Sequence, residues 1–262
     1  MTRVVVLEKV YGPHRPEDFT PAFLTLCSGL SVRVRVTGTI GHGWLVLNVS
    51  GEDEEVAIRL LDEEIGLAPV EASRIKRFST IRGKISSFGP EGIHVDIGVV
   101  EPHELTALVR PEVLRAQLAD GQDVDVPALA SLFCLADGFP LEVKLLDDPS
   151  AVEPGEPVDA ELSEGQVRLF ERWVRLGLDR LIVFGASHHA VKRAIGALGL
   201  HDRMVAIERL GLLENAVVLK LGTSPRKMTS ALRRRLRNAR VWAFRPWRIM
   251  RAFPGRYGPP SL

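Results

Sequence analysis

The sequence has little cysteine, little tyrosine and no long apolar run. Of its 262 residues, 2 are cysteine and 2 are tyrosine. Cys27 and Cys134 lie far apart in apolar surroundings and lack metal-ligand spacing, so we expect buried free thiols in a reducing cytoplasm. No stretch approaches the roughly 18 apolar residues of a membrane-spanning helix, so we expect no membrane span. The valine run that follows Met1 is too short for a signal peptide.

The motifs of common enzymes and metal sites are absent as well. Gly29 and Gly41–Gly43 belong to neither a phosphate-binding loop nor a dinucleotide fingerprint, and no serine lies in a glycine-framed elbow. His188-His189 and His201 do not form a convergent ligand set. We therefore expect no catalytic residue, cofactor, metal or small-molecule substrate. A phosphate contact at the helix N-terminus after Gly185-Ala186-Ser187 is an alternative to simple capping there.

The last forty residues, 223–262, contain no carboxylate. An ordinary protein surface mixes both signs of charge. Aromatic residues lie between the basic ones, which is the composition of a surface that faces nucleic acid. The basic residues are Arg226, Lys227, Arg233, Arg234, Arg235, Arg237, Arg240, Arg245, Arg248, Arg251 and Arg256, and the aromatic residues are Trp242, Phe244, Trp247, Phe253 and Tyr257.

Spacing predicts the local structure of this basic stretch. Ser224 and Pro225 are typical of a helix N-cap and first helical position. Met228 and Leu232 then recur at helical spacing and predict the buried face, which leaves the arginines pointing outward. The alternating residues from Arg240 to Trp247 predict a strand.

The middle of the chain has the opposite charge. The segment from Glu101 to Glu164 contains fifteen carboxylates but only three basic residues, which are Arg110, Arg115 and Lys144. The chain therefore has an acidic middle and a basic end, which its net charge of +1 conceals.

The order of predicted elements indicates an α+β protein of three modules. Residues 1–75 show strand, helix, strand, strand and helix, and a last strand is expected between Leu67 and Ile75. After a leading helix, residues 163–250 show the full order βαββαβ. We therefore predict two ferredoxin-like units, with a proline-rich linker at 149–162 and a basic tail at 251–262.

Short strands and glycines in residues 76–148 predict a small OB-like barrel. The expected strands are 81–87, 92–99, 106–109, 124–127 and 139–145. Gly83–Gly89 and Gly92–Gly98 resemble the opening hairpin of the S1-type RNA-binding OB-fold. The resemblance implies that Phe88 and His94 stack on bases. Because the later strands are acidic, docking of the barrel on a basic protein is an equal alternative.

Nearly the whole chain is similar to an archaeal family designated domain of unknown function 2110. The resemblance includes Val95–Gly98, Leu181–Gly185 and Lys220–Thr223. It implies a cytoplasmic archaeal setting beside the machinery of transcription or translation, and it implies no activity.

We hypothesise a non-enzymatic protein that binds structured RNA, with ribosomal RNA favoured, through its basic C-terminal unit. A second hypothesis is an accessory factor that docks on ribosome or RNA polymerase subunits through its acidic barrel. An RNA-modifying enzyme is a third. The residues expected to contact RNA are Arg226, Lys227, Arg233, Arg234, Arg237, Arg240, Trp242, Arg245, Trp247, Arg248, Phe88 and His94.

Overall fold

A computed structural model describes residues 1–10 and 14–258. The chain is α+β, with a closed five-stranded barrel and two further antiparallel sheets. Cys27 and Cys134 are buried free thiols, as predicted. No helix in the described ranges is both long enough and apolar enough to span a membrane.

A three-stranded sheet with helices on one face forms the N-terminal part. Its strand order is β1-β3-β2, and both pairings are antiparallel. Side chains alternate along the strands, so Val34, Val36 and Leu47 lie in the core beneath the helices. The elements are β1 (Thr2–Lys9), α1 (Thr20–Leu26), β2 (Val32–Ile40), β3 (Trp44–Gly51) and α2 (Glu54–Glu64).

The strand expected between Leu67 and Ile75 is only two residues long, β4 (Val70–Glu71), and a single antiparallel bridge, between Val6 and Leu67, extends the N-terminal sheet. Pro69 has no N–H to continue the pairing, and Val70 has a positive φ of 65° that redirects the chain. Strand β4 pairs in parallel with a strand of the barrel instead of joining the N-terminal sheet. The predicted strand is therefore present, but it does not complete the N-terminal sheet.

The barrel closes through the strand order β6-β5-β8-β9-β7, with β7 pairing back to β6. The β7–β9 pairing is parallel and the other barrel pairings are antiparallel. Helices α3 (Pro111–Leu118) and α4 (Val126–Phe133) lie between β7 and β8. This closed barrel is consistent with an OB-fold. Its strands are β5 (Thr80–Gly89), β6 (Gly92–Glu101), β7 (Leu105–Val109), β8 (Pro140–Leu145) and β9 (Val158–Leu162).

Two predictions in this region were wrong. Residues 124–127 are not a strand, because the Asp125 side chain caps α4 by accepting a hydrogen bond from the Ala128 N–H (2.6 Å). The fifth barrel strand is β9, which lies inside the stretch predicted to be a linker. Its residues Val158, Ala160 and Leu162 point into the barrel core.

The C-terminal part has a four-stranded antiparallel sheet of order β11-β12-β10-β13. The predicted element order βαββαβ after a leading helix is observed. The elements are α5 (Glu164–Arg175), β10 (Arg180–Phe184), α6 (His188–Ala197), β11 (Met204–Arg209), β12 (Glu214–Leu219), α7 (Pro225–Arg235), β13 (Arg240–Phe244), α8 (Pro246–Ala252) and α9 (Pro254–Tyr257).

The end of the chain differs from its prediction. The last strand stops at Phe244 instead of Trp247, because Pro246 is the first residue of α8. Residues 251–258, predicted as part of a basic tail, complete α8 and form α9, and Phe253 is buried. The rest of that predicted tail, residues 259–262, lies outside the described residues.

The four-stranded sheet is covered on both faces. Leu181 and Val183 of β10 pack against α6 and α7. Ile182 and Phe184 point the other way, into a core that also contains the barrel, α5 and α8. Edge-on contacts between aromatic rings, such as Trp173 with Phe244 at 5.2 Å, occur in this shared core. The barrel and the C-terminal sheet are therefore packed together directly.

Candidate nucleic-acid interface

Helix α7 exposes its arginines to solvent because its apolar face packs against the sheet, as its sequence predicts. Ser224 caps the helix, with its hydroxyl accepting from the Lys227 N–H (3.5 Å). Met228 and Leu232 are buried against the sheet, so the intervening side chains point outward. We define the basic surface as the exposed basic residues of α7, β13, α8 and their connections. They are Arg226, Lys227, Arg233, Arg234, Arg235, Arg237, Arg240, Arg248 and Arg251.

None of these cations forms an ion pair with a carboxylate among the described residues. The one ion pair found between residues 223 and 258 joins Arg256, which is not part of the basic surface, to Glu171 (2.7 Å). Arg240 donates instead to the Asp137 backbone carbonyl (3.1 Å), and Arg233 donates to the Val241 carbonyl. Guanidinium groups without carboxylate partners remain available to phosphates.

The two tryptophans of this region have different surroundings. Trp247, in the first turn of α8, is 53% exposed. Trp242, on β13, is half-buried and meets the Phe184 ring edge-on at 4.8 Å. The Arg240 guanidinium lies 5.3 Å from the Trp242 ring centre. Trp247 therefore has a free aromatic surface, whereas part of Trp242 packs within the protein.

Arg245 is half-buried at the end of β13 and lies near Asp179. Burial raises the pKa of Asp179, and the positive charge of Arg245 opposes that rise. Arg245 is thus less available to a ligand than the exposed arginines around it.

Phe88 and His94 lie on the hairpin formed by β5 and β6. Phe88 is half-buried against the barrel core. His94 Nε2 lies 3.2 Å from a carboxylate oxygen of Glu91. In the described part of the chain, no hydrogen bond or ion pair joins either residue to the basic surface. The sequence placed them in one set of RNA contacts, and the structure shows them on a separate element.

A cleft of about 520 Å³ lies beside the N-terminus of α6. The Ser187 hydroxyl caps that helix by accepting from the Ala190 N–H (3.2 Å). Arg235, at the end of α7, and Arg237 and Asn238, just after it, also line this cleft. Two arginines of the basic surface therefore line the same cleft as the N-terminus of α6. A phosphate contact at this N-terminus stays a prediction.

A larger cleft, about 1120 Å³, lies between α2, β8, α5 and β11. Its charges are balanced, with five arginines against five glutamates. The lining arginines are Arg82, Arg168, Arg172, Arg175 and Arg209, and the glutamates are Glu63, Glu64, Glu142, Glu171 and Glu208. Because carboxylates repel phosphate, this cleft is a weaker candidate for nucleic acid than the basic surface.

The structure contains a buried charge cluster that the sequence did not predict. Lys84 of β5 donates to Glu8 of β1 and to Glu214 of β12, the latter at 3.0 Å. All three side chains are at most 2% exposed. The Leu212 N–H also donates to Glu8 (3.2 Å). The cluster therefore joins the N-terminal sheet, the barrel and the C-terminal sheet.

Protonation in this cluster is shifted by its burial. Burial, followed by repulsion from Glu214, raises the pKa of Glu8 to about 7 despite attraction to Lys84. Burial lowers the pKa of Lys84, but the Glu214 and Glu8 carboxylates outweigh it and the pKa is raised overall. Lys84 thus stays charged at neutral pH. The one available signal was Glu214, which lies in a largely apolar stretch between Leu212-Leu213 and Ala216-Val217.

Asp96 forms a second buried contact between the N-terminal sheet and the barrel. Its carboxylate accepts from the Trp44 indole N–H (2.9 Å), from Lys9 Nζ (2.7 Å) and from the Gly98 N–H (3.0 Å). His42 lies between Asp96 and Glu104, with its Nε2 2.7 Å from Glu104. These contacts account for Asp96 within the structure. Across residues 1–10 and 14–258, no group of three or more His, Cys, Asp or Glu side chains is arranged to hold a metal ion.

Comparison with known proteins identifies one part of the chain. Residues 178–241 match the DUF2110 C-terminal domain. The matched segment runs from just before β10 into β13 and contains α7, the helix that carries much of the basic surface. No curated protein matches the chain. The predicted similarity to family 2110 is thus confirmed for residues 178–241.

Proposed function

We propose that the protein binds structured RNA through its basic surface and has no catalytic role. The observation that carries the proposal is the set of exposed arginines without carboxylate partners on α7, β13 and α8. A surface whose charges are not balanced internally gains free energy from phosphates by releasing their condensed counterions. Arginine also matches phosphate with two parallel hydrogen bonds.

The arrangement favours affinity over sequence recognition. Arg226, Arg234 and Arg237 supply contacts to the backbone, which position an RNA without identifying its bases. Trp247 supplies an exposed ring on which a base can stack. Ribosomal RNA is the ligand we favour, because it offers many closely spaced phosphates and unpaired bases.

We also propose that the two outer sheets are ferredoxin-like units, that the barrel is of the S1 type, and that the protein belongs to the archaeal cytoplasm. The strand order β11-β12-β10-β13 supports the first assignment for the C-terminal sheet. The β5–β6 hairpin, with Gly92 opposite Gly89, supports the second.

The alternative function is a protein-binding accessory factor of the ribosome or RNA polymerase. The observation that favours it is a group of exposed carboxylates on and beside the barrel that form no ion pair among the described residues. They include Glu112, Asp120, Asp137, Glu153 and Glu156. Such a surface would complement a basic protein.

A pull-down from native cell extract, with and without ribonuclease, tests the proposal against this alternative. We expect ribosomal RNA to co-purify with the wild type, and ribonuclease to release any proteins that accompany it. The variant R233E/R234E/R237E should lose the RNA. Its matched control, R168E/R172E/R175E, makes the same change in charge on the exposed face of α5 and should retain it. Ribosomal or polymerase subunits that stay bound after ribonuclease would instead support the accessory factor.

A further inference from the structure

The N-terminal sheet carries a second group of unpaired arginines, on the face opposite its helices. Arg3 of β1 and Arg35 of β2 both lie directly across from Asn48 of the central strand β3. Arg33 lies directly across from Ser50. Side chains directly opposite each other on antiparallel strands point to the same face. We call this set of five residues the arginine face.

Burial shows that the arginine face is open. The alternate residues Val34, Val36, Leu47 and Val49 are buried in the core beneath α1 and α2. The three arginines on the other face are exposed, whereas Asn48 and Ser50 are half-buried between them.

The barrel covers only the other half of the same sheet face. Trp44 and Leu7 are buried there in a small cluster with Ala68, and Trp44 donates to Asp96 of the barrel. The sheet therefore docks on the barrel at one end and presents arginines at the other end.

The carboxylates of Asp53 and Glu54, near the open end of the sheet, already have hydrogen-bond or ion-pair partners. Glu54 accepts from the Thr2 hydroxyl and pairs with the N-terminal amine of Met1 (3.0 Å). Asp53 accepts from the Ser31 N–H (2.7 Å). Among the described residues, Arg3, Arg33 and Arg35 form no ion pair. The arginine face is thus positively charged without internal compensation.

We propose that the arginine face binds the phosphate backbone of single-stranded RNA, as a site separate from the basic surface. Neighbouring strands are about 4.8 Å apart, so the Arg3 and Arg35 backbones are separated by about 10 Å. Arg33 and Arg35 lie about 7 Å apart along β2. Three guanidinium groups spread in this way can contact successive phosphates of an extended strand. Asn48 and Ser50, between them, offer hydrogen bonds to phosphate or to the 2′-hydroxyl.

The residue types of the arginine face also indicate which part of the RNA it contacts. None of its five residues is aromatic, so bases have no ring to stack on and the contact is to the backbone alone. The open sheet face accommodates an extended strand better than a rigid duplex. The inference takes RNA as the ligand from the proposed function and adds a second point of attachment. Two linked contacts raise the overall affinity through effective concentration.

Binding of a labelled oligouridine as a function of salt tests the inference. We expect R33E/R35E to weaken binding at least tenfold and to reduce the slope of log affinity against log salt by about 1.4, which is about 0.7 for each lost phosphate contact. R33Q/R35Q, which removes the charge without reversing it, should produce most of the same loss, because the loss then comes from missing phosphate contacts and not from disturbance of the edge strand by new carboxylates. R172E/R175E is the control of equal charge and should bind as the wild type does. Photo-crosslinks to 4-thiouridine should occur in peptides from β1, β2 and β3 and should disappear in R33E/R35E.

The outcomes separate this inference from the proposed function. If R33E/R35E binds like its control while R233E/R234E/R237E loses binding, the arginine face inference is wrong and the basic surface stands. If R33E/R35E loses binding and the C-terminal variant keeps it, the arginine face stands and the proposed surface is wrong. If the wild type binds no oligouridine, the inference is overturned. Equal competition by polyglutamate at the same charge would show an acidic peptide site and would also overturn it.

Discussion

Charged side chains on α7 and those between β1, β5 and β12 have opposite surroundings. The basic surface is exposed, carries one sign of charge and has almost no carboxylate partners. The buried charge cluster of Glu8, Lys84 and Glu214 is at most 2% exposed and carries both signs. The charges of the basic surface are therefore available to interact with a ligand. The charges of the buried cluster interact with one another and stabilise the fold.

This difference separates residues that bind from residues that hold the fold together. An exposed charge is well solvated, so its replacement changes stability little. A buried charge loses its hydration and depends on its partners, so removal of one partner leaves the others uncompensated. Variants of the buried charge cluster should therefore lower stability, whereas variants of the basic surface should lower RNA affinity with little change in stability.

The largest expected effect on stability comes from Lys84. Replacement by Met keeps most of the side-chain volume but leaves Glu8 and Glu214 without their shared cation, and should reduce the free energy of unfolding by about 3–5 kcal/mol. Urea denaturation measures this loss. The control K227M removes an exposed lysine of α7 and should stay within about 0.5 kcal/mol of the wild type. A loss below about 1 kcal/mol for K84M would contradict the assigned role of the cluster.

A smaller effect should come from the pH dependence of Glu8. Its pKa is about 7 in the fold against 4.5 in the unfolded chain, so between these values the folded state holds a proton that the unfolded state has released. Glu8 therefore contributes a fall in stability as pH rises from about 4.5 to about 7. E8Q, which does not titrate, should show a flatter stability profile across this range in denaturation experiments. Identical profiles for E8Q and the wild type would show that Glu8 keeps an ordinary pKa.

The two tryptophans provide a matched pair for RNA affinity. W247A removes the exposed ring and should weaken binding of single-stranded RNA by about 1–3 kcal/mol with little change in thermal stability. W242A removes a ring packed on Phe184 and should lower thermal stability more than it lowers affinity. Fluorescence anisotropy and thermal unfolding of both variants measure the two effects. The reverse pattern would place the base-stacking ring at Trp242.

The smallest expected effect is on the stability of the arginine variants. R234E/R237E changes two exposed side chains that form no ion pair among the described residues, so the free energy of unfolding should change by less than about 0.5 kcal/mol. Denaturation beside the wild type checks this. A larger loss would show that these arginines support the fold, and would weaken any argument from lost RNA binding.

Local signals in the sequence predicted much of the C-terminal fold. Ser224 and Pro225 fixed the start of α7, and the spacing of Met228 and Leu232 identified its buried face. The strand β9 was missed because prolines precede it and because three alternating apolar residues make a short signal. Its place in the barrel depends on parallel pairing with β7, which no local pattern specifies.

The candidate site was predictable only where it is contiguous in sequence. The basic surface lies within one stretch, and its composition alone indicated it. The buried charge cluster joins Lys84 to residues 76 and 130 positions away, so no spacing rule brings them together. The arginine face likewise depends on the register of three strands, which sets Arg3 and Arg35 on either side of Asn48.

The most direct test of the central claim is a salt titration of ribosomal RNA binding by the wild type, R233E/R234E/R237E and R168E/R172E/R175E. If the basic surface binds phosphates, the first variant should lose affinity and its slope of log affinity against log salt should fall by about 2 to 3, at about 0.7 to 0.9 for each contact. The α5 variant, with the same change in net charge, should keep the wild-type slope. Equal slopes for all three proteins would contradict the claim, because the arginines of α7 would then be no closer to the RNA than any other positive charge.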